Sequence, residues 1–233
     1  NHFLWILRMR VRNQDGFELL NEWLKNNWRD DHSVKLNLYR DFGALPAPGD
    51  RHIVEFLPFF HTMESNYGES FGVRHTTIEE RYGWFEDYRR KYENWLTGAT
   101  PLPDKPSHEQ SAKIMDAILT GNRRRYVVNV PNHGSIPRLP DTAVVEVMAD
   151  VDSDGVYPVP ASNVPESLLG LFSHLAAEQE LIVEAGLEGS YQKALQALLM
   201  DAAAPGYKSA KKMLNELIEA HGNMLYKFTK NFK

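Results

Sequence analysis

The sequence predicts an α+β fold dominated by helices, with a small, largely antiparallel sheet. Two observations carry that reading. Helical periodicity runs almost unbroken from about Val164 to Phe232, and two β-rich runs, "YVVNV" and "AVVEVMADV", stand between Pro/Gly turns in the middle of the chain. A third narrows it: no G-x-G-x-x-G nucleotide fingerprint occurs anywhere in the 233 residues. That length suits one large domain or two small ones and can bury a substantial core.

Composition excludes several classes of function. With 26 Lys and Arg against 31 Asp and Glu the net charge is −5, so bulk electrostatics give no reason to bind nucleic acid or an anionic membrane. No run approaches the ~20 apolar residues of a membrane helix. The absence of cysteine removes disulfides and thiolate ligands, and together with the lack of an apolar targeting run it points to the cytoplasm.

The elements follow in order. "FLWILRMRV" (3–11) is rich in β-formers and bounded by "RNQDG", which reads as a strand and a turn. Asp15 is placed to cap "GFELLNEWLKNN", where Phe17, Leu20, Trp23 and Leu24 recur at helical spacing. "HSVKLNLYRDFG" puts Val34, Leu38 and Phe42 on one face and stops at Gly43, and "ALPAPGDRH" is a turn-rich connection. A long helix is predicted over 76–95, with Ile78, Tyr82, Phe85 and Tyr92 on one side and charges on the other. Ser107 is placed to cap the next helix, which carries Ile114, Ile118 and Leu119. "DSDG" turns the chain after "AVVEVMADV", and "APG" at 204–206 breaks the C-terminal helices.

Three stretches could carry chemistry. Asn1-His2 stands at the mouth of a strand, where a histidine serves as metal ligand, general base or hydrogen-bonded structural group. "GDRH" (49–52) brings an acid, a guanidinium and an imidazole together, a kit for proton transfer plus anion recognition or a surface ion pair. "VNVPNHGSIPRLP" (128–140) offers two asparagines that suit sugar hydroxyls or a nicotinamide amide, or that hold a turn. "RRR" (123–125) reads as a solvated turn, and His174 as a packed or interface histidine.

"NHFLWIL", "GDRHIVEFLPFF", "VVNVPNHGSIPRLPDTAVVEVMADVDSDGVYPV" and "LAAEQELIVEAGLEGSYQKALQALLMD" occur in this order through nearly the whole chain. Together they resemble the C-terminal part of a family 4 glycoside hydrolase, the group that uses NAD and a divalent metal. "GDRH" followed by "EF-P" resembles the α-galacturonidase and α-glucosidase-like branch rather than the phospho-sugar branch. The resemblance implies a single domain over 1–233, of the lactate dehydrogenase and family 4 glycosidase type, and a homodimer or homotetramer. It also implies an N-terminal Rossmann domain that holds NAD and is absent from this chain, with a cysteine that shares Mn²⁺ with the histidine of the motif.

The implied reaction is oxidation, elimination and addition. Hydride leaves the third carbon of the sugar, a base takes the proton of the second carbon while the metal stabilises the enolate, and the aglycone departs. Water then adds and the hydride returns, a route outside the two-carboxylate pattern of most glycosidases. Carried over by position, His2 is the metal ligand, Asp50 the base with Tyr67 as alternative, and Asn132 a cofactor contact. Asn1, Arg51, His52 and Asn129 would contact the substrate, an arginine matching a uronate carboxylate through its planar fork. The competing readings are a catalytically silent oligomerisation or regulatory fragment of the same fold, and a lactate/malate dehydrogenase-like oxidoreductase, against which "VNVPNHGSIPRLPD" argues.

Overall fold

The computed structural model describes residues 2–29, 33–74, 76–105 and 109–231. In chain order the elements are β1 (Trp5–Ile6), β2 (Arg10–Val11), β3 (Gln14–Asp15), α1 (Gly16–Asn27), α2 (Val34–Phe42), β4 (Leu45–Pro46), α3 (Asp50–Val54), α4 (Ile78–Leu96) and α5 (Ser111–Thr120). They continue as β5 (Arg124–Pro131), β6 (Val144–Asp152), β7 (Gly155–Pro158), α6 (Glu166–Glu188), α7 (Tyr191–Met200), α8 (Tyr207–His221) and α9 (Tyr226–Asn231). This is the helix-rich α+β arrangement the sequence predicts: β5, β6 and β7 form one sheet in that order, and β1–β4 and β2–β3 are two-stranded antiparallel pairs.

The chain divides into two compact units. The first comprises Asn1–Val73, Val127–Ala149 and Tyr157–Lys233. Its main core gathers Trp5, Val34, Leu38, Ile53, Val54, Leu57 and Leu168, so β1, α2, α3 and the start of α6 share one interior. A second cluster joins Ala185, Ile218 and Phe228 on α6, α8 and α9. Gly189 at φ +69° ends α6, and the Ser190 hydroxyl accepts from the Lys193 N–H to start α7. The second unit comprises Arg74–Tyr126 and Asp150–Val156. In it the Tyr126 hydroxyl donates to the Lys113 carbonyl at 2.9 Å.

Most local signals act as predicted. The Asp15 carboxylate accepts from the Phe17 and Glu18 N–H groups at 2.7 and 3.2 Å, and Gly43 at φ +72° stops α2. The 3–11 run, by contrast, is not one strand. Pairing with β4 is limited to Trp5↔Pro46 and Ile6↔Leu45, and Pro46 has no N–H to extend it. The predicted turn at "RNQDG" forms at Arg12 (φ +55°), which closes the β2–β3 hairpin. Trp23 is exposed rather than packed with Leu24. The apolar side of α4 is exposed along its whole length, and none of its residues is buried. Asp50-Arg51-His52 forms the first turn of a helix rather than a connecting turn. Ser107 lies outside the described residues. The "RRR" cations pair locally: Arg125 donates to both Asp150 carboxylate oxygens at 2.8 and 3.0 Å. His174 bonds the Met200 carbonyl through Nε2 at 2.7 Å.

Glu178 on α6 is buried beside Asp201 and His174. Burial pushes its carboxyl above the usual range, Asp201 pushes the same way, and His174 opposes them. An acid whose folded pKa is raised favours folding below its unfolded pKa, and that contribution is lost as pH rises through the folded value. Glu178→Gln is therefore expected to raise the thermal midpoint at pH 7, with the gain disappearing below about pH 4, where the unfolded carboxyl is also protonated. Thermal melts of both proteins across pH check this.

Candidate active site

The candidate site is built from the first turn of α3 and the residues leading into β1. His2 stacks obliquely on His52, with ring centroids 4.8 Å apart. Phe56, one helical turn after His52, meets both rings edge-on at 6.3 and 5.8 Å, and Phe3 meets Phe56 at 5.6 Å and Phe172 of α6 at 5.8 Å. The two imidazoles therefore rest on an aromatic bed that ties β1, α3 and α6 together. His52 Nδ1 lies 3.5 Å from the Glu55 carboxylate one turn on, which biases the ring's orientation.

Asp50 has a second duty. Its Oδ1 accepts from the Lys35 N–H at 2.9 Å in the first turn of α2, where the Ser33 carbonyl accepts from the Leu36 and Asn37 N–H groups but its side chain makes no cap bond. The carboxylate thus caps α2 from 15 residues away. The Lys35 ammonium donates to the Ala47 carbonyl at 3.2 Å, and the Ala47 N–H donates to the Leu4 carbonyl at 2.9 Å, extending the β1–β4 pairing toward His2. Arg51 is half-buried on the same turn as Asp50.

Tyr67 lies on a turn held by unusual backbone. Asn66, Tyr67 and Gly68 have φ of +46°, +52° and +97°, a left-handed run in which the two non-glycine residues are strained. The turn is pinned on both sides. The Ser65 hydroxyl donates to the Phe60 carbonyl at 2.7 Å, the Tyr67 N–H donates to the Thr62 carbonyl at 3.0 Å, and a Cβ at Gly68 would stand 3.5 Å from the Val54 methyl of α3. The Tyr67 side chain is exposed.

Asn132 is fully buried, and its amide is committed to its own loop. Nδ2 donates to the Ile136 and Leu139 carbonyls, both at 3.0 Å, and Oδ1 accepts from the Ile136 N–H at 2.7 Å. The amide shapes the 132–139 loop from inside, leaving the loop backbone and its exposed neighbours as the surface available to a ligand. Asn129 is exposed on β5. The structure thus brings His2 and His52 into contact, puts Asp50 and Arg51 on the same turn, and places Asn132 within a separate loop. Asn1 lies outside the described residues. Sequence reasoning missed Phe56 and Lys35. Phe56 stands four residues after His52, a spacing that signals a shared helix face, whereas nothing local marks Lys35 as a partner of Asp50.

Among the described residues, no three His, Cys, Asp or Glu side chains are grouped to hold a metal ion. The chain therefore does not build a metal centre from those residues, and His2 can supply only one ligand of a larger set. No described helix is long and apolar enough to cross a membrane.

This fold matches known carbohydrate enzymes. The crystal structure of the putative glucosidase LplD from Bacillus subtilis superposes over 93% of this chain and 53% of its own, with a TM-score of 0.80 at 28% identity. A 6-phospho-α-glucosidase from gut microorganisms, solved in complex with NAD and Mn²⁺, shares the fold over 96% of this chain and 54% of its own, with a TM-score of 0.71 at 22% identity. The architecture is that of a glycosidase C-terminal domain. The sequence profile of the family 4 glycosyl hydrolase C-terminal domain covers residues 1–204, and the chain belongs to that family. An α-galacturonidase from Thermoanaerobacter italicus is 28% identical over 237 aligned positions, which are 94% of this chain and 52% of that enzyme. The chain spans about half the length of the curated relatives it matches.

Two stability measurements test the local geometry. Asp50→Ala removes the remote cap and is expected to cost about 1 kcal/mol, while Asp50→Asn, whose amide oxygen still accepts the Lys35 N–H, should cost less than half of that. Asn132→Ala leaves the Ile136 N–H and two carbonyls without their partner in a part-buried loop and is expected to cost roughly 1–3 kcal/mol. Chemical denaturation of the three variants reads both effects.

Proposed function

We propose that this chain is the substrate- and metal-binding part of an NAD- and Mn²⁺-dependent glycosidase acting on α-glycosides, with α-galacturonides as the favoured class. The carrying observation is the convergence of His2 with the Asp50–His52 turn in a chain of the family 4 glycosyl hydrolases. The likeness to an α-galacturonidase and the NAD and Mn²⁺ bound by a structural neighbour support the substrate class and the cofactors.

NAD and the metal, completed by groups outside this chain, would supply the redox step and the stabilisation of negative charge on the substrate. The chain's own side chains bind, orient and move a proton. His2, held against His52 and Phe56, presents one imidazole nitrogen as a metal ligand. Asp50 keeps one oxygen on the Lys35 N–H, and the other is proposed to take the proton from the second carbon of the sugar. Tyr67 is the alternative base: its turn is fixed against α3, and its exposed phenol can reach outward. The Arg51 guanidinium is proposed to grip the uronate carboxylate with two parallel hydrogen bonds, with His52 and the exposed Asn129 contacting sugar hydroxyls. Asn132 acts on the cofactor side through the shape it gives its loop. A cytoplasmic location is part of the same proposal.

The test is hydrolysis of an aryl α-galacturonide by the full-length parent of this chain, supplied with NAD, Mn²⁺ and reductant. Cleavage that depends on both cofactors is expected. Arg51→Lys should raise KM for the uronide by about tenfold and leave a neutral α-galactoside nearly unaffected, because a lysine cannot pair bidentately with the carboxylate. Absence of NAD-dependent cleavage of every hexoside and uronide would favour the catalytically silent fragment. Equal effects of Arg51→Lys on both substrates would reject the uronate assignment alone.

A further inference from the structure

One side of α4 carries aromatic rings interleaved with cations. Arg81, Trp84, Tyr88, Lys91 and Trp95 recur at spacings of three and four residues, which places them along a single helix face. The helix is firmly started: the Thr77 hydroxyl accepts from the Glu80 N–H while the Glu80 carboxylate accepts from the Thr77 N–H, a reciprocal cap. Trp84 and Tyr88 are 42% and 56% exposed and stand one turn apart, roughly 6 Å along the axis. With Asp87 and Lys91 they line an open depression of about 370 Å³. The face belongs to the second unit, whereas His2 and Asp50 belong to the first.

The charges of this face identify its ligand. The Arg81 guanidinium lies 5.1 Å from the centroid of Trp84, and the Lys91 ammonium 4.8 Å from that of Trp95. Among the described residues neither cation has a carboxylate partner. The nearby acids are matched elsewhere: Asp87 pairs with Arg90, and Glu80 with Arg74. Two uncompensated cations therefore flank the Trp84–Tyr88 floor, roughly 15 Å apart along the axis. Such a floor suits an anionic chain whose rings have apolar faces. The C–H face of a pyranose stacks on an indole or a phenol, its hydroxyls donate to a carboxylate such as Asp87, and a uronate carboxylate pairs with a guanidinium or an ammonium. A single-stranded nucleic acid also combines rings with charge, but its phosphates would face Asp87 in a chain of net charge −5.

We propose that α4 holds a second saccharide site, which binds an oligomer of uronic acid along Trp84 and Tyr88 with its carboxylates on Arg81 and Lys91. The choice of galacturonate as the uronic acid rests on the glycosidase reading; the site itself does not. The test is titration of the full-length parent of this chain with an oligogalacturonate, its fully methyl-esterified form and a single-stranded oligonucleotide, read by calorimetry. NAD and Mn²⁺ are left out so that nothing turns over, and excess methyl α-galacturonide, too short to reach both cations, fills the active site. The oligogalacturonate is expected to bind at least tenfold more tightly than its ester or the oligonucleotide. Trp84→Ala and Tyr88→Ala should each weaken it by about tenfold. Lys91→Glu should do the same and Lys91→Arg should not, all with unchanged circular dichroism and sedimentation. With NAD, Mn²⁺ and reductant restored, kcat/KM for an aryl α-galacturonide should be unchanged in every variant. Binding indifferent to Trp84→Ala and Tyr88→Ala, equal affinity for the ester, tighter binding of the oligonucleotide, or an effect of the substitutions on sedimentation alone would overturn the proposal. A parent that cleaves no glycoside yet binds the oligomer through Trp84 and Tyr88 would support the site and reject the glycosidase reading.

Discussion

The candidate site depends on one hydrogen bond between distant parts of the chain: Asp50 Oδ1 accepting the Lys35 N–H. A helix begins with N–H groups that have no partner inside it, and at the start of α2 the Ser33 carbonyl takes those of Leu36 and Asn37 while its side chain makes no cap bond. Asp50 supplies the missing acceptor and is itself the first residue of α3. Asp50 therefore caps α2 with its side chain while its backbone opens α3, which ties the turn that carries Arg51 and His52 to α2. Ile53 and Val54, the next two residues, are fully buried, so the turn is anchored from below as well as from the side.

From that anchor the rest of the site is arranged by contact. His52 meets His2 over Phe56, and Phe56 meets Phe3, which meets Phe172 of α6. The left-handed turn at Asn66–Gly68 packs against Val54, the last residue of α3. Two strained non-glycine residues at about 1–3 kcal/mol each persist only where the surroundings over-determine them, and such turns gather at functional sites. The proposed binding of an anionic sugar rests on this exposed tyrosine and on the acid, guanidinium and imidazole of α3.

Signals confined to a few residues were legible in the sequence. Asp15 capping α1, Gly43 ending α2 and "DSDG" turning β6 into β7 each depend on one side chain or one backbone angle. Signals that depend on a partner were not. The β-rich run 3–11 has the composition of a long strand, but only two of its residues find a place opposite β4. The periodicity of α4 shows that it has an apolar face and says nothing about what covers it; that face is exposed. Asp50 was legible as an acid beside a histidine but not as the cap of a helix 15 residues away. Asn132 was legible as a polar residue at a strand end, and only its three hydrogen bonds reveal that it works inward. The ordered motifs did identify the family.

The double duty of Asp50 is the central claim, and exchange at the second carbon of the sugar tests it most directly. With NAD, Mn²⁺ and an α-galacturonide in deuterated water, the full-length parent of this chain should wash deuterium into that position. Asp50→Asn should slow this by roughly 10²–10⁴-fold while the fold stays near wild-type stability, because the amide keeps the cap and loses the base. Exchange at the wild-type rate in Asp50→Asn, with loss of exchange in Tyr67→Phe, would contradict the claim and assign the proton transfer to the tyrosine.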